Sequence, residues 1–478
     1  MIFARHTVAA AAFLFVSSAF AASPGNTPAA LTQIRETAMS SDYAWNRLAD
    51  LTDLVGPRLS GSPGAAAAVT QVADALRALG AKVTLQPVKV PHWVRGVETG
   101  ELVDYAGRPA GLSQKVVLTA LGSSGATPQG GLRAPVLVVH SFDEFKARAA
   151  EAKGKIVLFD VPFNQVAADR GLAGESYGTA VAYRGAGPRM AAEAGAVAAL
   201  VRAVGGANFR IPHTGSTNFG KTTPIPAAAV STEDALLMTR LSKRGDIAMH
   251  LTLTPQTLPD ADSYNVIADW PGTDKADEVV VVSGHLDSWD LATGANDDGS
   301  GITAAMGVID TLRKLDFHPR RTIRVVAWMN EENGSRGALG YLAALKAQAG
   351  AVPVDKHFAA IESDGGSGRP FGILGGVAPA AVPLFEPLEH ALLPLGANVL
   401  RREDALNTGD LFPLEQAGVP CFEPLVDTST YFHYHHTPAD TLDKVDPDNL
   451  RRHVALMSSL AWYLANLDQP LGRAPAAH

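Results

Sequence analysis

From Ser263 onward the chain alternates short apolar runs with longer amphipathic stretches. VVVVSG, TIRVVAWMN, FAAIESD and CFEPLV read as strands. ITAAMGVIDTLRKL, ALGYLAALKAQ, a segment near 380–393 and LRRHVALMSSLAWYLANL repeat their apolar positions every three or four residues, as helices do. A run as continuous as VVVV suits a strand covered on both faces. The alternation therefore predicts an α/β fold, a mostly parallel mixed sheet flanked by helices. Upstream, residues 31–55 show helical periodicity, GPRLSGSPG (56–64) interrupts it, Ala65 to Val83 is rich in helix formers with Gly80 placed to cap the end, and VTLQPVKVP reads as a strand.

Between about 100 and 257 the texture changes to short apolar runs broken by glycine: APVLVVHS, GKIVLFDVP and the alanine-rich RMAAEAGAVAALVRAV, which reads as a helix. No His, Asp and Glu there share ligand spacing, so 100–257 reads as an inserted module within one domain made of 22–99 and 258–470. His140 and His213, isolated in that stretch, read as structural or surface histidines.

Residues 1–21 have a basic start, an apolar stretch from Val8 to Val16 and small residues at Ala19 and Ala21, the pattern of a signal peptide. The protein is expected to be exported, periplasmic or secreted. No later segment has the roughly 18 uninterrupted apolar residues of a membrane helix. A length of 478 residues favours more than one structural unit, and 46% hydrophobic with 18% charged residues is a globular balance. A formal charge of -8 disfavours nucleic acid or an anionic membrane as the main partner. The single cysteine, Cys421, excludes an intramolecular disulfide and reads as a small buried residue of a strand.

The chemistry gathers at strand ends. His285 and Asp287 follow VVVVSG, Glu331 and Glu332 follow TIRVVAWMN, Asp364 follows FAAIES, and HYHHTPADT follows the strand at CFEPLV; Asp297 lies in the glycine-rich loop after the first of these strands. Ligands of open α/β sheets collect at the carboxyl ends of strands. Imidazoles and carboxylates without an available thiol suit zinc, with cobalt or manganese as alternatives. Three carboxylates and a hydroxide balance two divalent ions, and one aspartate can bridge ions roughly 3.5 to 4 Å apart. Asp287, two residues beyond His285, is placed to hold that imidazole in one tautomer. The adjacent Glu331 and Glu332 point differently, so one can ligate while the other serves as base. Asp290 and Asp298 read as loop or capping residues, and His433 and His435 as neighbours of a ligand.

GHLDSWD, ANDDGSG, MNEENGSRGALGY, ESDGG and HHTPADT, in this order, together with GPRLSGSPG and QAGVP, resemble the co-catalytic di-zinc exopeptidases of the aminopeptidase and glutamate carboxypeptidase type. The resemblance covers nearly the whole chain after the signal peptide. It implies two zinc ions, one on His285 and Asp364, the other on Glu332 and His436, with Asp297 bridging and Glu331 as the catalytic base. His436 is preferred to His435 because it directly precedes the TPAD segment. The resemblance also makes 100–257 a protease-associated α+β domain, within which Pro212 to Gly215 matches a family segment, and suggests a homodimer. It implies hydrolysis of terminal bonds in dipeptides or short peptides. An aminopeptidase, a glutaminyl-cyclase-like transferase with one zinc, and a non-catalytic binding protein on the same scaffold are the rival readings.

Overall fold

The computed structural model describes residues 24–206, 208–347, 352–406 and 409–472. The expected signal peptide lies outside them. Eight strands form the first sheet, in the spatial order Lys82–Val94, Gln256–Trp270, Arg321–Trp328, Lys275–His285, His357–Glu362, Cys421–Val426, Pro370–Gly376 and Val399–Glu403. The four central strands, from Arg321–Trp328 to Cys421–Val426, run parallel. Antiparallel pairings flank them on both sides.

The VVVV run shows why the centre is parallel. Val280 and Val282 point into one core with Ile302, Leu456 and Trp462, whereas Val279 and Val281 point into another with Trp328, Tyr341 and Leu345. Successive side chains of a strand face opposite sides, so apolar residues at every position require a cover on each. Helices Ser300–Leu315 and Pro447–Asn466 supply the first cover and Arg336–Lys346 the second. Cys421 is fully buried in the second core, as expected.

Residues between Val94 and Gln256 leave this sheet and build another of eight strands, in the order Gln114–Val116, Glu98–Asp104, Ala248–Leu253, Leu132–Val139, Ile156–Phe159, Ala198–Arg202, Ala227–Val230 and Leu118–Ala120. The boundaries read from texture, 100 and 257, fall inside Glu98–Asp104 of this sheet and Gln256–Trp270 of the first. Four consecutive strands here are parallel, so the unit is less segregated into helix and sheet than an α+β layout implies.

Two local expectations change. RMAAEAGAVAALVRAV is not one helix: helix Ala173–Glu193 ends before Gly195, whose φ of +82 favours glycine, and Ala198–Arg202 becomes a buried strand between two parallel neighbours. Alanine's helix propensity is overridden by the ladder bonds available on both sides. The stretch 31–55 is likewise split, into Pro28–Met39 and Tyr43–Asp50, and the break lets Ser41 Oγ donate to the buried Asp310 carboxylate at 2.9 Å.

Trp462 is fully buried, its indole N–H donating to Gly25 O at 3.0 Å and its ring 5.1 Å from that of Phe317. Trp462→Ala is expected to lower unfolding free energy by about 3–5 kcal/mol, read as a shift of the denaturant midpoint.

Candidate metal centre

The four parallel strands end together, and each end delivers its side chain to one cavity. His285 is the last residue of its strand, Glu331 and Glu332 follow the strand ending at Trp328, Asp364 follows Glu362, and His435 and His436 follow the short helix Tyr431–Tyr434. Asp297 lies in the turn Ala295–Gly299 that feeds helix Ser300–Leu315; its peptide bond to Asp298 is cis.

Asp297 is central. Its Oδ1 is 3.0 Å from His285 Nε2, and its Oδ2 is 3.1 Å from His436 Nε2. His285 Nε2 is also 3.3 Å from Asp364 Oδ1, and His436 Nε2 is 2.9 Å from Glu332 Oε2. One carboxylate thus faces two imidazoles, each of which meets a further carboxylate. Asp297 with His435 and His436, His285 with Asp297 and Glu332, and His285 with Asp298 and Asp364 each offer three ligand atoms close enough to share an ion. All except Asp364 are buried, and Glu332 Oε1 has no hydrogen-bond partner. Such a donor set, imidazole nitrogens and carboxylate oxygens with lone pairs left over in low dielectric, fits divalent metal ions.

Charges respond to this crowding. Burial, reinforced by Asp364, Glu332 and Asp297, pushes the Glu331 carboxyl up to about 8. Burial and then Asp297 push Glu332 up to about 7. Asp297 goes the other way: against the cost of burial, His435, His285 and His436 hold it well below the carboxylate range.

The loop carrying Asp297 is held from three sides. Asp440 accepts the main-chain N–H of Asn296 at 2.7 Å and of Asp297 at 3.1 Å. The fully buried Arg58 donates from Nε to Leu286 O at 2.8 Å, from Nη2 to Gly294 O at 3.0 Å, and to Thr293 O. Asp298 accepts the N–H of His285 and of Gly301, both at 3.0 Å, so its capping role includes the start of the helix and the end of the strand. Gly284 makes this possible: a Cβ there would stand 2.5 Å from Asp298 Oδ2.

Asp287 requires a correction. Its main-chain carbonyl, not its carboxylate, lies 2.9 Å from His285 Nδ1. The carboxylate instead accepts the N–H of Asn330 at 2.7 Å and of Glu331 at 3.1 Å. In an extended chain the i and i+2 side chains share a face, but the strand ends at His285, and the turn swings the carboxylate under the Glu331 backbone.

The inserted unit reaches the same cavity. Thr214 N donates to His436 O at 2.9 Å, Thr214 O lies 3.2 Å from His436 Nδ1, and Ser216 Oγ donates to Glu332 O at 2.7 Å. His436 sits at φ +60, and Thr214 holds both its main chain and its ring. His213, expected to be a satisfied or surface residue, is fully buried beside these histidines, and burial depresses its pKa to about 3. His140 does lie near the surface, with Nδ1 3.2 Å from Asp160 O. Asp290 is a loop residue, ion-paired with Arg95 at 2.6 Å, and His433 faces Gln165 at 3.2 Å. His435 stacks on His436 at 3.6 Å and approaches Asp297 Oδ2 at 3.5 Å, closer to the centre than a mere neighbour.

A family model described as peptidase family M28 matches residues 265–461. Human carboxypeptidase Q is 35% identical over 456 residues, 95% of this chain and 91% of the relative. The chain belongs to peptidase family M28. The resemblance read from its motifs holds, and within M28 it extends to carboxypeptidase Q. A solved M28 precursor from Shewanella amazonensis SB2B superposes with a TM-score of 0.86 at 36% identity, covering 94% of this chain and 98% of that one. A zinc aminopeptidase from Bacillus subtilis shares the fold, with a TM-score of 0.63 at 21% identity over 87% of this chain and 93% of the other.

Among the residues that hold this M28 centre, Arg58 and Asp440 sit inside motifs visible in the sequence, GPRLSGSPG and HTPAD. Thr214 lies in the Pro212 to Gly215 segment that the resemblance singles out, whereas Arg184 carries no comparable signal.

Asp440→Ala removes the acceptor shared by the Asn296 and Asp297 amides. It is expected to weaken zinc affinity about 10- to 100-fold, measured by competition with a chromogenic chelator; unchanged affinity would exclude Asp440 as a support of the loop.

Proposed function

We propose that this metallo-exopeptidase of family M28 hydrolyses dipeptides or short peptides at a terminus, using two zinc ions. His285 and Asp364 would hold one, Glu332 and His436 the other, with Asp297 shared between them and Glu331 as the general base. The observation that carries this reading is the position of Asp297, its two oxygens directed at 3.0 and 3.1 Å to two imidazoles, one ending a strand at His285 and the other in the distant loop at His436. A single-ion site would not need one carboxylate turned to both.

Bound zinc supplies Lewis acidity, polarising the scissile carbonyl and lowering the pKa of water from about 15.7 to about 7. Glu331 takes a proton from water as the water oxygen adds to the carbonyl carbon. It then delivers that proton to the leaving amine nitrogen as the C–N bond breaks. Its pKa of about 8 reflects burial among carboxylates; with divalent cations bound beside it the carboxyl would be held lower, in the range where a base can both take and return a proton. The hydrogen bonds from Asn330 and Glu331 to Asp287 fix the backbone from which Glu331 projects.

The insertion, read as a protease-associated unit, contributes Tyr177 and Arg184 to the lining of the cavity that holds the proposed ligands. Export rests on the signal-peptide pattern of residues 1–21, and no helix among the described residues is long and apolar enough to cross a membrane. Assembly as a homodimer rests on the family resemblance alone.

Glu331→Gln is expected to keep two zinc ions per chain by elemental analysis while dipeptide turnover falls by about 10²–10⁴-fold. Near-normal turnover would remove Glu331 from the mechanism. Chelator is expected to abolish hydrolysis across a dipeptide panel with free and blocked ends, and added zinc to restore it. One tightly held zinc per chain, together with cyclisation of N-terminal glutamine, would favour the transferase reading.

A further inference from the structure

The cavity of about 270 Å³ at the metal centre is strongly acidic: Asp297, Glu331, Glu332 and Asp364 line it. Among the described residues, one lysine or arginine joins them, Arg184 of helix Ala173–Glu193 in the inserted unit. The residue is only 7% exposed, and no carboxylate lies within ion-pair distance of it among the described residues. Nη1 donates to Thr214 O at 2.9 Å and Nη2 to Tyr177 OH at 2.8 Å, while Nε has no hydrogen-bond partner. Nη1 also lies 3.2 Å from His436 Nδ1. In the tautomer that leaves Nε2 free to ligate, Nδ1 carries its own hydrogen and donates to Thr214 O, so this approach is a contact, not a hydrogen bond. A guanidinium has five N–H groups. Two are used, and three remain.

Building an unpaired cation into a protein interior is costly unless an anion completes it. Arg58, the other buried arginine near the centre, spends its donors on main-chain carbonyls and needs no such completion. We infer that Arg184 binds the free α-carboxylate of the substrate, so that the enzyme recognises the carboxyl end of dipeptides. This rests on the peptidase reading above and adds the end preference. The spacing supports a dipeptide: Arg184 touches His436, a proposed ligand, and consecutive Cα atoms are only about 3.8 Å apart, so one residue fits between a carboxylate on Arg184 and a carbonyl at the centre. The same cavity wall is aromatic. Tyr177 stacks on Phe432 at 4.5 Å and Tyr431 meets Phe432 edge-on at 5.0 Å, a surface suited to an apolar side chain on that last residue.

The test uses zinc-loaded wild type, Arg184→Met and Arg184→Lys with L-alanyl-L-phenylalanine and its carboxyl-terminal amide. Wild type is expected to favour the free acid in kcat/KM on the order of 10- to 100-fold, the scale of a charge-assisted hydrogen bond. In Arg184→Met the ratio is expected to fall within about threefold of one, mainly through KM for the acid, with Arg184→Lys between the two. The ratio is insensitive to the fraction of loaded enzyme, so a loss of zinc caused by disturbing Thr214 and His436 does not imitate the result. A wild-type ratio near one, or a Met variant that loses both substrates in proportion, overturns the assignment. Calorimetric binding of L-phenylalanine against L-phenylalaninamide separates the two readings. Carboxylate-dependent binding that Arg184→Met abolishes, without turnover of any peptide, supports Arg184 and sinks the peptidase. Turnover without carboxylate dependence does the reverse.

Discussion

The mutual repulsion of carboxylates at the end of the central strands is the constraint around which the molecule is built. Asp297, Glu331, Glu332 and Asp364 converge in one cavity, where low dielectric magnifies every charge. Nothing in hydrophobic packing favours this. The residues stay together because the surrounding backbone gives them no alternative: Asp440 grips the Asn296 and Asp297 amides, Arg58 ties down the carbonyls of the same loop, and Asp287 anchors the amides before Glu332. The fold spends buried polar contacts on keeping like charges adjacent, which is the arrangement divalent cations require.

The parallel sheet is the frame that makes those contacts meet. Four adjacent strands run the same way, so their carboxyl ends form one rim, and valines filling both faces of Lys275–His285 lock that strand between two helical layers. Rigid packing beneath the rim leaves the connecting loops as the place where chemistry resides. The inserted unit then closes one side. Thr214 and Ser216 bind the main chain of His436 and Glu332, the two residues proposed to share an ion, so the insertion belongs to the architecture of the centre and is not an appendage beside it.

Much of this is legible in the sequence. Alternating apolar runs and amphipathic stretches announce the α/β sheet because burial on two faces leaves a period that side-chain chemistry cannot disguise. His285, Asp297, Glu331, Glu332, Asp364 and the HYHHTPADT loop stand out because carboxylates and imidazoles at successive strand ends have no packing purpose, and the family resemblance is what singles out His436 within that loop. The alanine-rich stretch that includes Ala198–Arg202 reads as helix in the sequence, since alanine is compatible with helix and with a crowded strand and only neighbouring strands choose between them. Asp287 departs from its reading for a related reason: spacing of two residues implies a shared face only while the strand continues, and it stops at His285.

What the chain determines alone is therefore the periodic scaffold and the identity of groups able to ligate a metal, both of which are local properties of residue type and spacing. Tertiary structure decided which group answers which: the carbonyl of Asp287 rather than its carboxylate behind His285, Asp440 beneath the Asp297 loop, and Thr214 and Arg184 reaching His436 from more than two hundred residues away in the chain. Those contacts depend on the relative placement of two sheets, and hydrogen bonds formed by main-chain atoms leave no mark on residue identity. The chemistry of the centre was written in side chains; its geometry was written in the backbone.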